Sequence, residues 1–258
     1  MAKKYNFSSE EKAFLEAYDP GDYPRPAVTA DIVVFTVDSD NDLNILLIKR
    51  KDFPYKGYWA VPGGFMKVGE ESAEETAVRR LREETGAENV YLRQLATFSR
   101  PDRDPRMHVV SVAYMALVPW DMLNIKAGEG AEEAGLFKIG YDLNGLSFKN
   151  REHCLLETEL AFDHDKMIKT ALWRLRNRID YEPDAFYLLK DKSSFTVYEL
   201  QKIYESIKNK TLDTSNFRKF FTRSYINTGT VICKNIKSNG AGKRPAALYE
   251  YIGRSELL

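Results

Sequence analysis

Strand-like runs and helical stripes alternate through the first 180 residues of this chain and then give way to a different kind of sequence. Asp31–Val37 (DIVVFTV), Leu43–Ile48, Tyr58–Val61, Val90–Phe98 and His108–Val118 are apolar, β-branched runs bounded by Gly, Pro, Asp or Asn, the pattern of strands. Between them Ser72–Glu84 contains no Gly or Pro and places Ala73, Ala77 and Leu81 four apart, which predicts one apolar stripe on a charged helix. Asp165–Ile179 is a second such helix, with Met167, Ile168, Ala171, Leu172 and Leu175 at helical spacing. Alternation of this kind excludes all-α and all-β classes and predicts an α/β sandwich.

The break falls at Asp180–Asp184 (DYEPD), where Pro183 stops any helix, so the expected domains are 1–180 and 181–258. Beyond it, Thr196 with Glu199 three residues on forms a capping box, and Phe195 and Leu200 sit where a hydrophobic staple belongs. A helix over Val197–Ile207 follows, then a polar turn at Asn209–Leu212. A second helix begins at Asp213 or Thr214 with Phe217, Phe220 and Phe221 facing inward. Two strand-like runs, Tyr225–Ile232 and Ala246–Ile252, flank the loop Lys234–Arg244.

Charge separates the same two pieces. The whole chain is neutral, with 38 Lys+Arg against 38 Asp+Glu, which would argue against a polyanionic partner if it were evenly spread. Residues 181–258 hold 13 Lys+Arg and 8 Asp+Glu, and the first 180 hold 25 and 30. Neutrality is thus the sum of an acidic body and a basic tail piece. The longest apolar stretch, Val109–Trp120, is interrupted by Ser111 and falls short of the ~18 residues of a membrane span. MAKKYNFSSEEK has no apolar signal region, and Cys154 and Cys233 make no metal spacing; reduced thiols in a cytoplasmic protein are expected.

The most specific local signal is Gly63-Gly64-Phe65 leading into the charged helix that ends RRLREETGA at Ala87. A Glu-rich helix face taken alone is a solvated surface. Here it is bracketed by a glycine loop and Thr85-Gly86, and the stretch resembles the Nudix box: Gly64, Glu71, Arg79, Leu81, Glu83, Glu84, Gly86 and Ala87 stand at its positions. In that box glutamates at i, i+3 and i+4 share one helical face and hold a hard divalent cation, normally Mg²⁺. The resemblance implies a Nudix α/β/α sandwich with a mixed sheet. It makes Glu83 and Glu84 candidate metal ligands and Glu71, Glu83 and Glu84 candidate catalytic residues of a hydrolase.

Two departures bear on function. The loop from Gly64 to Glu71 is one residue longer than the usual spacing, unless Glu70 is the motif glutamate and the helix segment is long by one. Position 80 is Arg where the family has a metal-binding glutamate. A unit charge pair ~4 Å apart is worth about 4 kcal/mol at an effective dielectric near 20, so a guanidinium there removes a ligand and opposes the cation. Arg80 can turn outward or hold a ligand phosphate itself. Weak or absent hydrolysis is expected.

A second candidate is Ser99–Met107 (SRPDRDPRM), a Pro-bounded loop that is either a solvated connection or a ligand frame. It resembles the Arg-Asp-Pro loop of Nudix proteins that handle ADP-ribose, and Arg100, Arg103 and Arg106 become candidate phosphate or ribose contacts. Arg50, Trp59, Gly63 and Gly64 complete the candidate ligand residues, each with a plain alternative as surface charge, core aromatic or turn.

The basic tail piece, two short helices and a hairpin, has the outline of a winged helix-turn-helix, although a small dimerisation domain would read similarly. A Nudix-like domain followed by FTVYELQKIYESI, NFRKFF and GKRPAALYEY is similar to the Nudix-related transcriptional regulators. That resemblance implies a homodimer that binds operator DNA and senses ADP-ribose, a related nucleotide-sugar or a pentose. Thr214, Ser215, Asn216 and Arg218 are the base-edge candidates, with Lys210, Lys219, Arg223, Lys243 and Arg244 on phosphates. The rival expectation is a Mg²⁺-dependent ADP-ribose or related pyrophosphatase with a structural tail.

Overall fold

A computed structural model of the chain describes residues 6–88, 90–142, 145–238 and 245–253. Helix α1 (Ser9–Ala17), with a capping box from Ser8 and Glu11, precedes the sheet and buries none of its residues. The sheet contains β1 (Ala27–Val37), β2 (Leu43–Arg50), β3 (Trp59–Ala60), β4 (Gly63–Phe65), β5 (Tyr91–Phe98), β6 (Val109–Leu117), β7 (Ala131–Asp142), β8 (Gly145–Lys149) and β9 (Cys154–Leu156). Its order is β5-β6-β1-β2-β7-β8-β9, with β3 pairing β2 and β4 pairing β1. Only β1 and β6 run parallel, so the sheet is mixed.

Strand alternation sorts the core into two layers. On β1, Ala30, Ile32 and Val34 face helix α2 (Ala73–Thr85) and meet Ala77 and Leu81. Val33, Phe35 and Val37 face the other way, toward Met167, Ile168, Ala171, Leu172 and Leu175 of α3 (His164–Arg178). A strand buried on both faces reads as a continuous apolar run, as DIVVFTV does. Helix α2 starts at a Ser72–Glu75 capping box and ends at Gly86, whose left-handed φ of 65° is the conformation that glycine adopts without a Cβ penalty.

A short 3₁₀ segment, Pro183–Leu188, leads into the carboxyl-terminal unit: α4 (Val197–Lys208), α5 (Thr214–Phe221) and a hairpin of β10 (Val231–Lys237) and β11 (Ala247–Tyr251). The expected caps are present, with Thr196 and Glu199 bonded reciprocally and the Asp213 side chain accepting from the Asn216 N–H. The expected strand over Tyr225–Ile232 is corrected. Helix α5 runs on into a π turn, Thr222–Ile226, that buries Tyr225, and the strand begins only at Val231. The aromatic cluster explains the difference: Tyr225 packs against Phe186, Phe220 and Phe221, and its hydroxyl meets that of Tyr204.

The two units share one core. The apolar cluster on the α3 side of the sheet continues through Ile179, Phe186, Phe195, Leu200 and Ile207 to Val231 without interruption. Polar contacts stitch the same seam: Arg176 Nε donates to the Ile207 carbonyl at 2.9 Å, the Tyr204 hydroxyl to the Ile179 carbonyl at 2.7 Å, and Lys208 pairs with Asp180 at 2.6 Å. Both cysteines are free, and no helix among the described residues is long and apolar enough to cross a membrane.

Candidate functional site

One cleft of about 200 Å³ gathers most of the candidate ligand residues. Gly63 and Gly64 of β4, Arg80 of α2, Arg50 at the end of β2, and Arg103 and Arg106 of the Pro-bounded loop all line it. Arg100 does not. It lies exposed, outside the cleft lining, and pairs with its neighbour Asp102. Trp59 is a core aromatic, buried edge-on against Phe137.

The arginines of the cleft are held in place. Arg103 is buried and makes a bidentate pair with Asp163, at 2.8 and 3.2 Å, immediately before α3. Arg106 makes a bidentate pair with buried Asp104 and lies 5.3 Å from the Phe65 ring centroid. Arg50 donates to the Pro54 carbonyl at 2.9 Å and stacks over Phe162. Guanidiniums fixed in this way lose little further freedom when they grip the paired oxygens of an anionic group such as a phosphate.

The Nudix-box residues resolve the spacing question. Glu71, not Glu70, pairs bidentately with Arg79, at 2.6 and 2.9 Å, and also accepts from the Lys67 N–H. The Arg79 hydrogen bonds hold the Glu71 carboxyl down at about 2. Glu71 therefore fastens the glycine loop to the helix. The extra residue is absorbed in the loop.

Arg80 points inward. Its Nη1 pairs with Glu83 at 3.2 Å, and its guanidinium lies so close over Gly64 that a Cβ at that position would collide with it. Glu83 is also paired with Arg79, at 3.3 Å. Glu84 is turned away into the protein, where it accepts from the Gly128 N–H at 2.9 Å, and burial pushes its pKa up. Nudix domains generally use a divalent cation. The box of this chain fits one poorly, because one carboxylate is replaced by a guanidinium, one is neutralised by two arginines and one is buried on a backbone donor. Among the described residues, the group that could offer three ligand atoms to a metal is Glu133, Glu152 and His153, away from the box.

The cleft contains residues that the sequence pattern did not single out. Asp31 accepts from Thr29 and Ser111 hydroxyls, and the Nδ1 of buried His164 accepts from the Val61 N–H at 3.1 Å. Burial lowers the pKa of His164. Asp163 and His164 stand 60 and 61 residues beyond Arg103, so only the folded sheet brings them together. The available signal was a polar pair, Asp163-His164, at the start of a strongly apolar-striped helix.

The candidate nucleic-acid surface lies on α5 and the turns before and after it. Lys210, Thr214, Ser215, Asn216, Arg218, Lys219 and Arg223 are all exposed there. Lys210, Arg218, Lys219 and Arg223 have no ion-pair partner among the described residues. Lys243 and Arg244, expected at the wing tip, lie outside the described residues.

Residues 25–140 match the NUDIX domain family, and residues 185–251 match the NrtR DNA-binding winged helix domain family. The chain is 37% identical over 254 residues to the ADPR responsive transcriptional repressor NtrR of Acinetobacter baylyi, covering 97% of this chain and 92% of the relative. It is 41% identical over 175 residues to the ADP-ribose pyrophosphatase of Methanocaldococcus jannaschii, a match covering 67% of this chain and 89% of that one. Among solved structures, Shewanella oneidensis NrtR complexed with a 27mer DNA superposes with a TM-score of 0.68 at 29% identity, over 87% of this chain and 93% of that chain.

Proposed function

The chain belongs to the family of Nudix-domain transcriptional regulators with an NrtR-type winged helix, and from that membership we propose that it is a DNA-binding regulator responsive to ADP-ribose. Residues 1–180 are the ligand-sensing domain and residues 181–258 the operator-binding domain. The observation that carries this reading is Arg80, a guanidinium in the box position of a metal-binding carboxylate, turned inward and paired with Glu83. A site so arranged binds anions and is ill suited to activating water on a cation.

Arg50, Arg80, Arg103 and Arg106 receive the phosphates and ribose of the ligand against Gly63 and Gly64. Thr214, Ser215, Asn216 and Arg218 read base edges, and Lys210, Lys219, Arg223, Lys243 and Arg244 contact phosphates. The protein acts in the cytoplasm as a homodimer, which suits two half-sites of an operator. Mg²⁺ has at most a weak site at Glu83 and Glu84. The pyrophosphatase relative keeps the hydrolase reading in view, with Glu71, Glu83 and Glu84 as its residues. That match covers only two thirds of this chain, and the pairing of all three glutamates speaks against turnover.

Helix α3 supplies a physical route between the sites. Its amino end carries Asp163 and His164 at the cleft, and its carboxyl end packs on α4 through Arg176 and Ile179. A phosphate that competes with Asp163 for Arg103 alters the seat of α3. Regulation follows where the ligand binds the DNA-competent and incompetent arrangements unequally, and by linkage operator DNA changes ADP-ribose affinity by the same factor. The test is a gel shift on the protein's own upstream DNA with and without ADP-ribose, beside a phosphate-release assay. A shift altered by ADP-ribose without product formation is expected. Vigorous Mg²⁺-dependent cleavage with no DNA binding would overturn the reading.

A further inference from the structure

Arg80 carries an unspent donor in the cleft. Its Nε is buried and has no hydrogen-bond partner, although Nη1 is paired with Glu83. Of the buried side-chain nitrogens and oxygens left unmatched among the described residues, it is the one in a residue lining the cleft. The other cleft guanidiniums each already point their Nε at an acceptor: Arg50 at Pro54, Arg103 at Asp163 and Arg106 at Asp104. Buried donors are normally matched, and one left open inside a cationic cleft marks where an acceptor from outside would sit. The guanidinium lies directly against Gly64, so the missing side chain at that position is what gives Arg80 room to lie in the cleft.

We infer that the Arg80 guanidinium takes the place of the divalent cation, so that this cleft binds the diphosphate of its ligand without metal. A metal ion bound to two phosphate oxygens supplies positive charge and a fixed bidentate geometry. A guanidinium supplies the same two things covalently, and its Nε and Nη donors match the spacing of phosphate oxygens. A cation and Arg80 in the same place would repel each other, so the two solutions exclude one another. Glu83 holds Arg80 from below, as a carboxylate of a metal site would hold its ion.

The inference rests on the ADP-ribose reading above, and calorimetry separates the two. The full-length protein is titrated with ADP-ribose in buffer containing EDTA and in buffer containing MgCl₂, as wild type, Arg80→Ala and Arg80→Glu. Wild-type affinity should agree within about twofold between the buffers, and Arg80→Ala should bind about tenfold more weakly in both, the worth of one charge-assisted contact. Arg80→Glu should lose binding in EDTA and regain part of it with Mg²⁺. Wild-type binding that requires Mg²⁺, or Arg80→Ala binding as tightly as wild type in EDTA, overturns the inference while leaving the ADP-ribose reading in place. No binding by the wild type in either buffer overturns that reading and the inference together. The wild-type comparison needs no variant, so poor folding of either substitution leaves the test intact.

Discussion

Arg103 and Lys219 carry the same charge in opposite settings. Arg103 is buried in the cleft with two hydrogen bonds to Asp163, while Lys219 stands exposed on α5 with no ion-pair partner. The contrast extends to their neighbours, since Arg50, Arg79, Arg80 and Arg106 are all anchored and Lys210, Arg218 and Arg223 are not. A small ligand is recognised by donors whose positions are set before it arrives, because each donor ordered on binding costs affinity. A polyanion is held by displacing its counterions, for which exposed and mobile cations suffice. On the proposed reading, anchored guanidiniums serve discrimination and loose ones serve grip.

The largest effect should come from breaking an anchor. Arg103→Ala leaves Asp163 buried without its partner, and chemical denaturation should show a loss of about 3–5 kcal/mol, the usual cost of stranding one member of a buried pair. A loss below about 1 kcal/mol would mean that the cleft is softer than its hydrogen bonds imply.

Acidification sharpens the comparison next. Burial lowers the pKa of His164 from its ordinary 6.5, with Asp31 and Asp163 opposing and Arg103 and Arg50 adding to the shift. The unfolded chain therefore binds the proton first, and stability should fall as pH drops through 6.5 by up to about 1.4 kcal/mol per pH unit. Thermal melts at pH 7.5 and 5.5 should show this slope in the wild type and a shallower one in His164→Gln.

On the loose side, Lys219→Ala and Arg223→Ala should each lower the salt dependence of operator binding by about 1 in log–log slope while leaving the melting temperature unchanged. Anisotropy titrations across ionic strength would measure it, and an unaltered slope would remove the residue from the phosphate contacts. The smallest effect belongs to Arg100→Ala. Its pair with Asp102 is exposed and outside the cleft, so neither ADP-ribose affinity nor melting temperature should change.

What the sequence disclosed follows from the range of the interactions involved. Helix α2 and its box, the Thr196–Glu199 cap and the facing of Phe217 and Phe221 are written in residues three to eight apart, and they stand as expected. Strand β7 is not legible locally, because AEEAGLFKIGYD has the composition of a helix or loop; pairing with β2 on one side and β8 on the other makes it a strand. Tyr225 opens a run that reads as a strand, and aromatic packing overrides that reading. In the cleft, Arg50, Arg80, Arg103 and Arg106 were legible from motif and composition. Asp31, Asp163 and His164 were not, since each owes its role to a partner from another element. Arg100 was the converse case, a motif arginine whose nearest carboxylate, Asp102, claims it locally.

Helix α3 touches the cleft at one end and the DNA-binding unit at the other, and it does so as one uninterrupted helix of 15 residues. At about 1.5 Å per residue it is a shaft of roughly 22 Å. A shaft fixes phase as well as distance: each residue advances the helix by about 100°, so the direction in which Asp163 meets Arg103 determines the direction in which Arg176 meets α4. Inserting a single alanine in the middle of α3 would rotate the two ends out of step, whereas seven added residues would bring them nearly back into phase at greater separation. The length of this helix, more than the identity of its exposed residues, therefore sets how the cleft and the carboxyl-terminal unit are oriented to each other.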